Sequence, residues 1–389
     1  MFDEIAWLED AGHEVAHFST NHPQNDPSPW SDYFVPYMEL GESGGLGTRA
    51  KLLAAAKMFY NREAAKRFTR LLVEFRPDVI HSHGIHRQLS PSILLAAKDR
   101  LVPVVQTLHD YWPVCPADVL LRGDGALCDP GLCSVSWPWA ACGQRCVQGS
   151  RGRSALSAAE TFTRNTVLHY QDLISRFISP SRFLADRVIA GGLDRRPIDV
   201  IPNAVSLPPA ARGGDGFVYA GRLSREKGLQ VLLQAAARSG VSLTVCGDGP
   251  LAPLVRAHVD EQVTWVGSVS PVEVAGVLAT ARAAVVPSTW FENAPMSVLE
   301  PMAAGIPVVA SAIGGIPEVV RDRMEGLLVQ PESVAELSTA MSLLDSKPSL
   351  AAELGAAARD RIGTRFSRES HLSSLLECYE SAERLPNRL

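Results

Sequence analysis

The stretch Tyr219–Ala236, "YAGRLSREKGLQVLLQAA", decides the fold. A β-branched, aromatic run ends at Ala220, a glycine-bounded turn carries Arg222 and Lys227, and apolar residues then recur at helical spacing. A strand that runs through a tight turn into a helix is the repeating unit of a parallel α/β sheet. Gly221 and Gly228 let a ligand approach the backbone. Two cations beside a helix start make a site for a pyrophosphate, whereas either cation alone would read as a surface charge.

The same alternation continues on both sides. Strands are expected at 13–18, 78–83, 103–108 and 173–179 in the first half, and at 216–220, 242–246, 264–266, 283–286, 307–311 and 326–329 in the second. Between the halves lies "VSLPPAARGGDG", Val205–Gly216, whose Pro and Gly content reads as a linker. With 389 residues, two domains are the natural division. The expected fold class is α/β: two Rossmann-like, doubly wound parallel sheets with a cleft between them, ligands lying outside the carboxyl ends of the strands. The domains run 1–206 and 207–365, with a last helix, 366–389, crossing back to the first. The chain opens on a helix, "MFDEIAWLEDAGHEV", where such a domain should open on a strand, so the first strand is expected to be missing or the start misplaced.

Composition bounds the function. The chain is 46% hydrophobic and 20% charged with a formal net charge of −5, which disfavours nucleic acid as a partner. No apolar run reaches membrane-spanning length and no signal peptide opens the chain, so a cytoplasmic location is expected. Segment 49–76 is the exception: eight Lys/Arg stand against Glu63 and Glu74, interleaved with Leu and Phe. It reads as a solvated basic helix, or as a surface for anionic lipid at the inner face of the membrane; the two are compatible.

A second motif, "WFENAPMSVLEPMAAGIPVV" (Trp290–Val309), sets Glu292 and Glu300 eight residues apart around Asn293-Ala294-Pro295. That triplet reads as a helix N-terminus, with Pro near the first helical position. Eight residues of helix span roughly 12 Å, comparable to the reach from hexose to ribose in an extended nucleotide sugar. Glu300 suits a ribose diol and Glu292 the hexose. The plainer reading of Glu292 is an acid complementing the helix dipole. "CGDGP" (Cys246–Pro250), with Gly247, reads as a strand-end turn and lacks the third glycine of a dinucleotide fingerprint.

"GRLSREKG", "CGDGP", the two glutamates and "AAGIPVVASAIGGIPE" (Ala303–Glu318), in this order, resemble the second domain of the retaining family-4 glycosyltransferases of GT-B fold. "HSHGIHRQLSPSILLAAK" (His81–Lys98) and "VPVVQTLHDYWPVCP" (Val102–Pro116) resemble its polysaccharide-assembly branch. The resemblance implies that Arg222 and Lys227 hold the donor diphosphate, Glu292 the transferred sugar and Glu300 the ribose. It further implies that Gly247, Asn293, Ala294 and Pro295 line the donor site and that His109 stands beside the donor sugar. It implies front-side attack on a nucleotide-diphosphate sugar by a hydroxyl of a glycan or lipid-linked acceptor, assisted by the leaving phosphate. No Asp-x-Asp occurs, so no catalytic metal or other cofactor is expected; the two cations would stabilise the departing diphosphate. Two other readings stand beside this one: a nucleotide-sugar epimerase of the same shape, and an inactive nucleotide-binding scaffold.

Five of the seven cysteines fall in the insertion 115–146 that follows His109. Cys128, Cys133, Cys142 and Cys146 could close a structural zinc site, or be reduced thiols pinning a loop. His81, His83 and His86 also invite a metal, but lack a nearby carboxylate in sequence.

Overall fold

The computed structural model describes residues 2–23, 25–38, 48–86, 88–129, 131–211 and 213–384. The chain divides into two compact units: residues 1–180, 184–201 and 372–389 form the first, and 181–183 with 202–371 the second.

The second unit holds six parallel strands, β7 (Phe217–Ala220), β8 (Leu243–Cys246), β9 (Val263–Gly267), β10 (Ala283–Val286), β11 (Val308–Ser311) and β12 (Gly326–Val329). All six lie where the sequence places them. Their spatial order is β12-β11-β10-β7-β8-β9. The winding therefore reverses between β7 and β10, which is the topological switch point of a doubly wound sheet. β10 and β11 are buried along their whole length, which is why they read as unbroken apolar runs. The helix Leu229–Ser239 covers the sheet with Leu229, Leu232, Leu233 and Ala236, one face at helical spacing. It stops at Gly240, whose left-handed backbone returns its N–H to Ala236 O at 2.9 Å.

The first unit has a short parallel pair, β1 (Thr20–Asn21) with β2 (Val35–Pro36), and a four-stranded parallel sheet. That sheet comprises β3 (Ile80–His83), β4 (Val104–Thr107), β5 (Arg176–Ser179) and β6 (Ile198–Val200), in that order. The last helix, Arg368–Glu383, sends Leu375, Cys378 and Ala382 into a core with Val105, Ile178 and Ile201.

Two expectations fail here. Residues 13–18 form no strand: an extended segment becomes one only when a neighbour takes its hydrogen bonds, and pairing begins at β1. β6 was not expected, because Asp199 interrupts its apolar pattern. The charge is met across the ladder: Arg176 of β5 donates from Nε and Nη2 to the two Asp199 oxygens, both at 2.7 Å.

Candidate active site

The loops after β7 and β10 meet at the switch point of the second unit. After β7 the chain passes Gly221 and the exposed Arg222, makes a short 3-10 turn Arg225–Lys227, and enters the helix at Gly228. Gly228 has φ 73°, and a Cβ there would overlap Pro287 O just past β10. Only glycine permits both the left-handed backbone and this contact, so the β7 loop is pressed onto the β10 loop. Lys227 is thereby brought to Glu292, 65 residues on: its Nζ donates to Glu292 Oε1 at 2.6 Å. Ser288 Oγ donates to the same oxygen at 2.6 Å. Glu292 is buried, with 6% of its side chain exposed against 24% for Lys227. Nζ also stands 5.1 Å from the centroid of the Trp290 ring, a cation–π contact. Trp290 Nε1 is buried with no acceptor among the described residues.

The Glu292 backbone is fixed from below. Gly315 N–H donates to Glu292 O at 2.7 Å, and Gly314 has φ 64° at a point where a Cβ would overlap the Glu292 backbone. The two glycines of "AIGGIPE" are thus a cradle for this loop. Asn203 Nδ2 donates to Ala294 O at 3.1 Å, and Ala294 is buried. Gly247, just past β8, donates its N–H to Gly267 O at 2.7 Å and accepts from Trp265 Nε1 at 3.0 Å. It is a backbone turn, as expected.

Glu292 and Glu300 do not share a helix, which corrects the 12 Å spacing. The helix is Met296–Ala303 and Pro295 is its N-cap, in extended backbone, not its first residue. Glu292 lies in the loop before it, buried and paired, while Glu300 is exposed on the helix. The two acids therefore have different environments. Sequence reasoning missed Ser288 and Trp290; their signal is their place directly after a fully apolar strand.

In the first unit His109 stands two residues beyond β4. It shares a hydrogen bond of 2.9 Å with His83 at the end of β3, Nε2 to Nδ1, with the rings stacked. One ring of such a pair must be neutral to accept. Burial, then the neighbouring His81, hold His83 well below the ordinary histidine range. Although His109 keeps part of its surface in solvent, lost hydration around the ring lowers it too. Glu4 Oε2 lies 3.8 Å from His83 Nε2, and Asp110 Oδ2 lies 3.6 Å from His86 Nδ1. Both nitrogens of His81 are engaged, by Tyr379 Oη and Thr107 Oγ1 at 2.7 Å each, so it is no metal ligand. Among the described residues no three metal-ligating side chains stand at ligand spacing.

Of the expected thiol set, Cys128, Cys133 and Cys146 line one small cavity. Cys142 does not, and Cys115 does. The reason is local: the helix Ala140–Gln144 ends at Arg145 in left-handed backbone, φ 51°, so Cys146 leaves the helix and does not follow Cys142 one turn on.

Basic segment 49–76 forms two helices, Thr48–Phe59 and Arg62–Phe75, the second capped by Asn61. Phe68, Leu71 and Leu72 are buried beneath it, and Arg67 is spent on Phe34 O at 2.8 Å and on Glu63. Arg62, Lys66 and Arg70 remain as an exposed stripe. The side chains of Arg49 and Lys51 lie outside the described residues. Among the described residues no helix is long and apolar enough to cross a membrane.

Two parallel-sheet α/β units, the second doubly wound with a cation–carboxylate pair at its switch point, define the GT-B type of sugar-transferring fold. The family description "Glycosyl transferase 4-like domain" matches residues 3–204, and "Glycosyl transferases group 1" matches residues 211–361. Alpha-maltose-1-phosphate synthase of Mycolicibacterium smegmatis is 34% identical, covering 90% of this chain and 88% of that one. Glycogen synthase of Mycobacterium tuberculosis is 33% identical, covering 80% and 70%. Among solved structures, sucrose-phosphate synthase from Thermosynechococcus elongatus superposes with TM-score 0.69 at 20% identity, over 97% of this chain and 91% of that one. Anabaena HepE in complex with UDP-glucose gives TM-score 0.60 at 17% identity, over 82% of each. The chain belongs to the family-4, group 1 glycosyltransferases and is a glycosyl-transferring enzyme.

Proposed function

We propose that the enzyme moves a sugar, with retention, from a nucleotide-diphosphate donor to a hydroxyl of a glycan or lipid-linked acceptor. The observation that carries this reading is the Lys227–Glu292–Ser288 cluster at the switch point, with exposed Arg222 on the same β7 loop. A diphosphate needs cations whose charge is aimed before it arrives. Lys227, fixed by Glu292 and Trp290, and Arg222, free to swing in, divide that task. As the leaving group takes negative charge, both cations stabilise it. Glu292 orients Lys227 and turns its remaining acceptor capacity to the sugar hydroxyls. Glu300, exposed on its helix, takes the ribose diol. Gly247 and residues 293–295 give backbone groups to the donor, and His109, whose pKa burial lowers, stands beside the transferred sugar.

HepE, of the same fold, was solved with UDP-glucose, which supports a nucleotide-sugar donor. Nothing in these relatives favours the epimerase reading. Retention rests on the motif resemblance. The stripe Arg62, Lys66 and Arg70 supports contact with an anionic membrane if the acceptor is lipid-linked.

The test is a screen of nucleoside diphosphates and their sugars for thermal stabilisation. One of them should raise the melting temperature, since a ligand at 100 times its Kd adds about 2.7 kcal/mol. The sugar nucleotide that does so should be consumed only when an acceptor is added. Stabilisation by none, or donor turnover without acceptor, overturns the reading.

A further inference from the structure

His81 and His83 share one side of β3, and β4 runs beside it with His81 opposite Val105 and His83 opposite Thr107. His109 follows two residues past Thr107, which brings its ring to His83. The centroid of the His81 ring stands 4.0 Å from that of His83. His81 is itself fixed at both nitrogens, by Tyr379 Oη of the last helix and by Thr107 Oγ1, at 2.7 Å each. The first helix adds a carboxylate: Glu4 Oε2 lies 3.8 Å from His83 Nε2. The side chains of His83 and Glu4 are only 13% and 17% exposed. His83 thus has a carboxylate by one ring nitrogen and an imidazole by the other.

These neighbours give the shared proton a direction. A neutral imidazole has one N–H and one bare nitrogen, and the partner of either nitrogen decides the state of the other. At 3.8 Å the Glu4 carboxylate is past direct hydrogen-bond length. Its charge, weakly screened in this mostly buried setting, still favours a proton on the nearer nitrogen, Nε2. Nδ1 of His83 is then bare, and the 2.9 Å bond is one in which His109 Nε2–H donates to it. The opposite assignment would set a lone pair on His83 Nε2 against the carboxylate, two acceptors together. Burial, the first cause of its low proton affinity, keeps His83 from holding protons on both nitrogens at neutral pH.

We propose that His83 is a positioning residue for sugar transfer: with Glu4 holding its own proton on Nε2, it accepts the Nε2–H of His109 and so fixes the orientation and tautomer of that ring. The inference rests on the placement of His109 beside the transferred sugar. His83 acts only through His109. It removes that ring's freedom to turn before the donor arrives, so no reorganisation is left for the transition state.

Histidines labelled at their ring nitrogens report this bond by nuclear magnetic resonance on the full chain, the His109 signals being those lost in His109→Ala. The shared proton should be attached to His109 Nε2, with a nitrogen–nitrogen coupling across the hydrogen bond to a bare His83 Nδ1. Glu4→Gln should weaken that coupling as two tautomers interchange. His83→Phe keeps a ring and removes the acceptor; turnover should fall about tenfold while the donor KM stays within about twofold. His83→Asn, whose amide oxygen takes the place of Nδ1, should restore turnover to within about threefold of the parent. The unaltered chain decides the matter even if a variant fails to fold: a proton on His83 Nδ1, or no coupling between the two rings, overturns the proposal. A His109→Ala enzyme as fast as the parent overturns both the placement of His109 and the role given to His83. A slow His109→Ala beside an unimpaired His83→Phe, or a His83→Asn enzyme no faster than His83→Phe, overturns the role of His83 alone.

Discussion

Lys227→Met removes the ammonium and keeps most of the side chain's volume. Glu292, 6% exposed at its side chain, would keep its charge while the Ser288 hydroxyl still donates to it. Breaking a buried ion pair from one side costs about 3–5 kcal/mol. Lys227 is a quarter exposed, so water can reach part of the gap, and a loss at or below the bottom of that range, about 2–3 kcal/mol, is expected. For a unit of this size each kcal/mol is worth about 2–4 °C, so melting should fall by about 4–12 °C. Removing both charges is different: Lys227→Met with Glu292→Leu replaces a costly pair with apolar packing and should recover at least half of the loss. The double-mutant cycle should therefore show a coupling of about 1.5–2 kcal/mol. Glu292→Gln separates the roles. It retains a hydrogen-bond acceptor for Ser288 and releases Lys227, so diphosphate affinity should hold within a few fold while turnover falls about a hundredfold or more. Urea unfolding measures the cycle, calorimetric titration with the nucleoside diphosphate measures affinity, and donor turnover completes the set. A Lys227→Met protein that melts like the parent, or a coupling under about 0.5 kcal/mol, would refute the reasoning that this pair is built into the unit.

Glu300→Ala should leave stability within about 0.5 kcal/mol, because Glu300 is exposed. It should weaken donor binding by about 1–3 kcal/mol, and an unchanged donor Kd in calorimetry would remove the ribose role. The His83 imidazole makes stability pH-dependent in a defined sense. Its folded pKa is depressed, so as pH falls below about 6.5 the unfolded chain takes up a proton that the fold refuses. Stability should therefore decline on acidification from about pH 6.5 downward, and His83→Asn should flatten that decline; identical urea midpoints against pH for both proteins would rule the effect out.

The second unit was legible because all its strands but the edge strand β9 are largely buried, so hydrophobic runs mark them. The first unit was less so. Residues 13–18 carry the propensity for a strand without a neighbour to make one, and β6 hides behind Asp199, whose charge makes sense only beside Arg176. Arg222 and Lys227 were visible as cations after a strand, since local chemistry requires them there. Their pairing was not, for Glu292 lies 65 residues away and only the winding of the sheet brings β7 beside β10. The two glutamates misled because sequence distance was converted to helix rise across a segment that Pro295 keeps extended.

That pairing also changes what Lys227 is. A lysine on an open loop would lose up to about 2 kcal/mol of side-chain freedom each time it bound a phosphate. Held by Glu292 and by the face of Trp290, this one has already lost it in folding. The same carboxylate offsets part of its charge, so a diphosphate in the ground state sees a well-aimed but moderated cation. As the bond to the sugar breaks, negative charge grows on the leaving oxygen and the attraction to Lys227 strengthens without any further reorganisation. An arrangement that favours the transition state over the bound diphosphate raises turnover more than affinity. In the Glu292→Gln variant the lost pre-ordering and the regained charge oppose each other, so nucleoside diphosphate should bind within a few fold of the parent while donor turns over far more slowly.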